Sequence, residues 1–216
     1  MREHPHLPKG FFHDKLVLAD NSVLAPFVDS GHAGLLYQIA GCVWVAPSII
    51  DPDIDPDLTK LTTADWRKLP EFLAYIAKPS PPPQEVIERR LSYLEKHGEF
   101  WYQEPLSFYE LDLVKEYKKD YKKELRGKLG DLETLAIAKR RGGIILTNDT
   151  GLSLAAQKEG IQVFFPCFLL VFAVQWGLIS CPDAENLYNN VFVGQLRLWS
   201  KKRLHCERQG PICVDV

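Results

Sequence analysis

The chain has 216 residues, of which 46% are hydrophobic and 25% charged, and its net charge is −2. That is enough apolar material for one large core of normal composition. The near-neutral charge excludes a global basic field, so an anionic partner has to be held by a local patch or through a metal.

KLVLAD (15–20) is a short apolar run ending in Asp20 and reads as a first strand. NSVLAPFVDSGHAGLLYQIAG (21–41) shows helical spacing with a break at Gly31, predicting two short helices, the second over about 32–40. CVWVAP (42–47) is β-branched and aromatic, a second strand. Pro52 and Pro56 disfavour a continuous helix across 48–60. Residues 62–77 look helical, KPSPPP (78–83) is a stiff polyproline-like link, and 84–98 form an amphipathic helix ended by Gly98. FYELDLVKEYKKDYKKELRGK (108–128) predicts one long charged helix. The helix DLETLAIAKRRGG (131–143), the strand IILTND, the helix 150–160, the strand 161–165 and the helix 167–177 then follow closely. Residues 183–199 read as one more helix.

Strands alternating with helices imply an α/β fold, three-layered, with a parallel central sheet covered on both faces. The stretch 57–127 is a helical insertion between the second and third strands, and about 183–216 a helical C-terminal extension of the single domain. Five cysteines, odd in number and without a C-x-x-C pair, argue against both a disulfide framework and a zinc site. A reducing cytoplasm fits that usage. The segment MREHPHLPKG has no apolar core and does not read as a signal peptide. VFFPCFLLVFAVQWGLI (163–179), interrupted by Pro166 and Gln175, falls short of the ~20 residues a membrane-spanning helix needs, so no membrane partner is expected.

Acids stand out by place. Asp20 ends the first strand, Asp51 and Asp53 follow the second, Asp131 opens a helix, and Asp149 ends the third strand. Singly, each has an ordinary structural reading: a turn, a polar loop, a helix start, a helix cap. Jointly they point elsewhere, because strand ends of a parallel sheet share one edge, where ligands bind. Unit charges 4 Å apart repel by about 4 kcal/mol at an effective dielectric of 20, so gathered carboxylates raise each other's pKa or take a cation. All-oxygen ligands suit Mg²⁺ or Mn²⁺.

The stretch LGDLETLAIAKRRGGIILTNDTGLSLAAQKEGIQVFFPCFLLVFAVQWGLI (129–179) resembles the C-terminal half of PIN-domain proteins, with a Gly-acid-x-Glu helix start, a T-x-D strand end and a G-I-x-V strand. Residues 16–53 resemble the family's first half, with an acid at the first strand end, a small-polar pair (Asn21 and Ser22), two helices and V-x-V-x-P. The family is mostly metal-dependent ribonucleases, many of them toxins of toxin–antitoxin pairs. The resemblance therefore implies an endoribonuclease with Mg²⁺ or Mn²⁺ held by Asp20, Asp131 and Asp149. Asp53 matches the family's second acid, one methylene shorter than the usual Glu, with Asp51 as an alternative. Thr147 matches the hydroxyl of T-x-D. Glu133, about 200° round the helix from Asp131, takes a supporting role. An RNA substrate, a cognate antitoxin and a homodimer are further implications.

KEYKKDYKKELRGK (115–128) reads first as a solvated helix face. Its surplus of Lys118, Lys119, Lys122, Lys123 and Arg126, with Tyr117 and Tyr121 between them, also suits phosphate contact and base stacking. Two competitors stand beside the nuclease. A PIN-like module that lost activity would bind RNA or protein. A haloacid-dehalogenase-type phosphatase would want a second Asp two residues after the first, where this chain has Asn21 and Ser22.

Overall fold

Parallel strands form the centre of the molecule, in a computed structural model that describes residues 7–46, 48, 101–102, 106–195, 202–207 and 210–215. The first strand, β1 (Val17–Ala19), is fully buried and leads into α1 (Asn21–Asp29) and α2 (Ala33–Ala40). Gly31, with φ 76°, turns the chain between these helices where the sequence predicts a break. Strand β2 (Val43–Trp44) follows. Strand β3 (Trp101–Tyr102) lies inside the stretch read as a helical insertion, so that stretch is not purely helical. The two helices expected within 57–100, and Asp51 and Asp53, lie outside the described residues.

The charged run 108–128 divides into α3 (Phe108–Asp120) and α4 (Lys122–Leu125), broken at Tyr121. Tyr117 and Tyr121 are 3% and 8% exposed, and the Tyr121 hydroxyl donates to Glu159 Oε1 at 2.5 Å. Turning both rings inward also removes them as stacking platforms for bases. Helix α3 starts with a capping box between Ser107 and Glu110. Glu110 is buried against the Arg141 guanidinium, at 2.6 and 3.0 Å. Burial opposes its charge, but Arg141 and Ser107 hold its carboxyl below the usual range.

Helix α5 (Leu129–Arg141) is buried along most of its length and stops at Gly142, whose φ of 70° closes the turn into β4 (Ile144–Leu146). Then come α6 (Thr150–Lys158), β5 (Val163–Phe164) and α7 (Pro166–Gln175). Pro166 sits in the first turn of α7, where its missing N–H is harmless. The helix is apolar all round, and Leu169 to Ala173 are fully buried, the pattern of a core helix.

All strand pairs of the sheet are parallel, in the order β3-β2-β1-β4-β5. Val17, Leu18 and Ala19 register with Ile144, Ile145 and Leu146. The chain thus moves outward one way from β1 and the other way from β4, making the β1/β4 boundary a topological switch point. The mixed α/β architecture agrees with helices covering a parallel sheet on both faces.

The extension departs from expectation. Helix α8 (Cys181–Leu187) passes into a π-helical segment, Tyr188–Gln195. An antiparallel hairpin follows, β6 (Lys202–Glu207) with β7 (Gly210–Asp215), where the extension was expected to be helical. Its Leu204 is buried in the core, and the Asn189 side chain bonds both Leu204 backbone groups, at 3.1 and 3.4 Å. The cysteine reading is also overturned: Cys167 is bonded to Cys213 and Cys181 to Cys206, with Cys42 as the remaining thiol. Both bridges fasten the hairpin to α7 and α8. Among the described residues no helix is long and apolar enough to cross a membrane.

Candidate functional site

The carboxyl ends of β1 and β4 are stitched together by two hydroxyls. Ser22 donates to Asp20 Oδ1 at 2.6 Å and accepts the Asn148 amide at 2.7 Å. Thr147 donates to Asp20 Oδ2 at 2.5 Å and accepts the Asp149 amide at 2.9 Å. The Asp20 amide donates to the Leu146 carbonyl at 3.1 Å, extending the ladder between β1 and β4. Each oxygen of Asp20 is therefore held by a hydroxyl that also fixes the chain after β4. Burial pushes the Asp20 carboxyl up to about 6 despite these donors.

Helices α1 and α6 begin directly after Asp20 and Asp149, and α5 has Asp131 in its first turn. Their positive N-terminal ends favour negative charge at this edge. Asp149 caps α6: its Oδ1 accepts the amides of Gly151 at 2.7 Å and Leu152 at 3.1 Å. Its Oδ2 accepts Lys128 Nζ at 2.6 Å. Burial opposes that charge, but Lys128 and the capping amides outweigh it and hold Asp149 below the usual carboxylate range.

Asp131 is 9% exposed. Burial, and then the charge of Asp20, push its carboxyl up to about 7, with Lys128 offsetting part of the rise and Asp149 adding to it. Its Oδ2 accepts no hydrogen bond of good geometry, although Lys128 Nζ stands 3.5 Å away. At that separation the two form an ion pair and not a proper hydrogen bond. Three buried side-chain atoms without a hydrogen-bond partner belong to this edge: Asp131 Oδ2, Asn21 Oδ1 and Asn148 Nδ2. Native interiors rarely leave such groups unpaired, and a bound ligand or ion is one standard reason when they do.

Nothing in the sequence singles out Lys128, one more cation in a basic run. Arg126 (φ 50°) and Gly127 (φ 74°) turn the chain between α4 and α5 and deliver its side chain to the acids. Its ammonium faces Asp149 and Asp131 together, and both carboxylates raise its pKa against the effect of burial. Gly151 sets the height of that turn. A Cβ there would lie 2.2 Å from the Glu124 carbonyl oxygen, so α4 packs directly on the start of α6.

Glu133 is fully buried and does not face the acids. It accepts the Ser48 amide at 2.9 Å and the Ser48 hydroxyl at 2.7 Å, and burial raises its pKa. It thus fixes Ser48, beyond β2. Lys118, Lys119, Lys122, Lys123 and Arg126 are all exposed along α3, α4 and the turn before Lys128.

The acids offer only hard oxygens, the donor type that Mg²⁺ and Mn²⁺ prefer. They are not a ready-made cage. Among the described residues no three Asp, Glu, His or Cys side chains are grouped closely enough to hold a metal ion. Asp131 Oδ2 is the atom most in need of a cation, and the ammonium of Lys128 is the group that an ion at Asp131 and Asp149 would have to displace. The donor set fits a divalent cation on that condition. No protein-family model matches this chain, and neither a curated protein nor a solved structure does.

Proposed function

We propose that the protein is a metal-dependent endoribonuclease of PIN-like architecture. The observation that carries this reading is the unpaired buried Oδ2 of Asp131 at an acidic edge where Asn21 Oδ1 and Asn148 Nδ2, beside Asp20 and Asp149 in the chain, are also without partners. Asp131 and Asp149 would hold one Mg²⁺ or Mn²⁺ ion once Lys128 gives way, with Asp20 joining only if the acids draw closer than they now stand and Asp53 or Asp51 as a further acid. When bound, such an ion supplies a more acidic water and offsets charge on a departing phosphate oxygen. Ser22 and Thr147 keep the Asp20 carboxylate from turning. Without an ion, burial and the neighbouring Asp20 push the Asp131 carboxyl up to about 7, a rise that a bound cation would offset. The exposed lysines of α3 and α4 would track the RNA backbone by charge alone. Action as the toxin of a toxin–antitoxin pair and a homodimeric state belong to the same proposal, whereas the two disulfides remove the cysteine argument for a reducing cytoplasm.

A second reading, a PIN-like module that binds RNA or protein without cleaving, has one observation on its side. Both oxygens of Asp149 are already engaged, by the helix cap and by Lys128. Cleavage of a labelled mixed-sequence RNA with and without Mn²⁺, by wild type and by Asp20→Asn and Asp131→Asn, separates the two. The nuclease reading expects Mn²⁺-dependent cleavage lost in both variants. RNA binding with no cleavage at any metal concentration would select the module.

A further inference from the structure

Lys128 does something that a surface lysine in a basic run does not. Its Nζ is 2.6 Å from Asp149 Oδ2 and 3.5 Å from Asp131 Oδ2, while 55% of the side chain is exposed. The ammonium therefore stands between two partly buried carboxylates, at the end of a side chain that is more than half exposed. The backbone beneath it is fixed independently: the Lys128 amide donates to the Leu125 carbonyl at 2.9 Å, and its carbonyl accepts the Leu132 amide at 3.2 Å. Its side chain makes no cap to α5. The ammonium can swing outward without moving the chain.

We propose that Lys128 is an internal stand-in for the divalent cation, occupying the cation's place between Asp131 and Asp149 and leaving it when an ion binds. The inference rests on the metal-dependent reading above. A single ammonium cannot serve both acids well: it makes a short charge-assisted bond to Asp149 and leaves Asp131 Oδ2 without a hydrogen bond. A small dication between the same oxygens would satisfy both. Ammonium and dication carry the same sign, so close occupancy by both is disfavoured and the two compete. The lysine keeps the metal-free site from holding bare, repelling carboxylates, and it sets a threshold concentration below which the site stays closed to metal.

Mn²⁺ binding to the full chain, followed by the electron paramagnetic resonance of free Mn²⁺, tests this with wild type, Lys128→Met and Lys128→Arg. Removing a charged hydrogen-bonding competitor is expected to tighten Mn²⁺ binding about tenfold in Lys128→Met, and Lys128→Arg should bind no more tightly than wild type. In wild type, saturating Mg²⁺ should raise the rate of Lys128 acetylation by an amine-reactive reagent, read by peptide mass spectrometry. Equal Mn²⁺ affinity in wild type and Lys128→Met overturns the displacement and leaves the metal-dependent reading standing. No Mn²⁺ binding by either protein overturns both. If Lys128→Met does not fold, the labelling decides: unchanged Lys128 reactivity with metal bound sinks the proposal.

Discussion

The Thr147 hydroxyl donates to Asp20 Oδ2 at 2.5 Å and, through the same oxygen, accepts the Asp149 amide at 2.9 Å. One buried side chain thereby couples the acid after β1 to the acid after β4. Thr147→Val keeps the shape and removes both bonds, leaving a buried amide and a carboxylate oxygen short of a partner. A loss of about 2 kcal/mol is expected, seen as a lower urea midpoint at constant m. Thr147→Ser should recover most of it. A Val variant as stable as wild type would show that the hydroxyl couples nothing.

Gly151 is the residue on which α4 rests. A Cβ at this position would sit 2.2 Å from the Glu124 carbonyl oxygen, a backbone atom with no rotamer in which to escape. Gly151→Ala should cost roughly 1–3 kcal/mol through forced backbone movement. Gly34, inside α2 with nothing within 4 Å of the place a methyl group would take, is the control. There Ala should be neutral or stabilising by up to about 1 kcal/mol. Thermal denaturation of the two variants compares them directly, and equal melting temperatures would contradict the close approach.

Asp131 and Asp20 give stability a pH dependence of definite sign in the metal-free protein. Their folded pKa values, about 7 and about 6, lie above the ordinary 3.8. Between those limits the unfolded chain has released protons that the folded chain keeps, so stability falls as pH rises from about 4 to 7. Asp149 and Glu110 are shifted downward, and their contributions disappear only as pH falls below the ordinary carboxylate range. Denaturant titrations in EDTA should show wild type and Asp131→Asn falling with different slopes over this window, with the variant gaining on wild type toward pH 8. Parallel profiles would mean that Asp131 ionises normally.

The hairpin β6–β7 is held by two bridges whose cysteines lie 46 and 25 residues apart. By the chain-entropy argument, loss of the shorter loop alone costs about 3 kcal/mol. Reductant should therefore lower the melting temperature. Thiol titration of the unreduced, denatured chain should find one group, Cys42, against five after reduction. Five reactive thiols before reduction would remove both bridges from the structure.

The element map is largely legible in the sequence because it depends on neighbours along the chain. Asp20 at the end of β1, the two helices broken at Gly31, and Asp149 as both strand end and helix cap all follow from local periodicity and punctuation. The single helix expected over 108–128 is interrupted at Tyr121, and nothing in the charged run announces that the Tyr121 hydroxyl meets Glu159 from a distant part of the chain. The hairpin has a weak signal, alternation of polar and apolar residues in KRLHCE, which is too short to outweigh the helical pattern before it. Ser22 reads in the sequence only as a small polar turn residue, although it holds Asp20 as closely as Thr147 does.

By itself, then, the sequence determined which acids end strands and open helices, because backbone conformation and amphipathic spacing are written in runs of a few residues. Only the tertiary structure decided who meets whom: the order β3-β2-β1-β4-β5, the pairing of four cysteines, and the arrival of Lys128 beside an acid 21 residues further on. Such meetings depend on how whole elements close on one another, and burial makes each a matter of complementary charge and shape across the fold. No local pattern encodes that a lysine in a solvated run will end up as the counter-charge of a buried acidic edge.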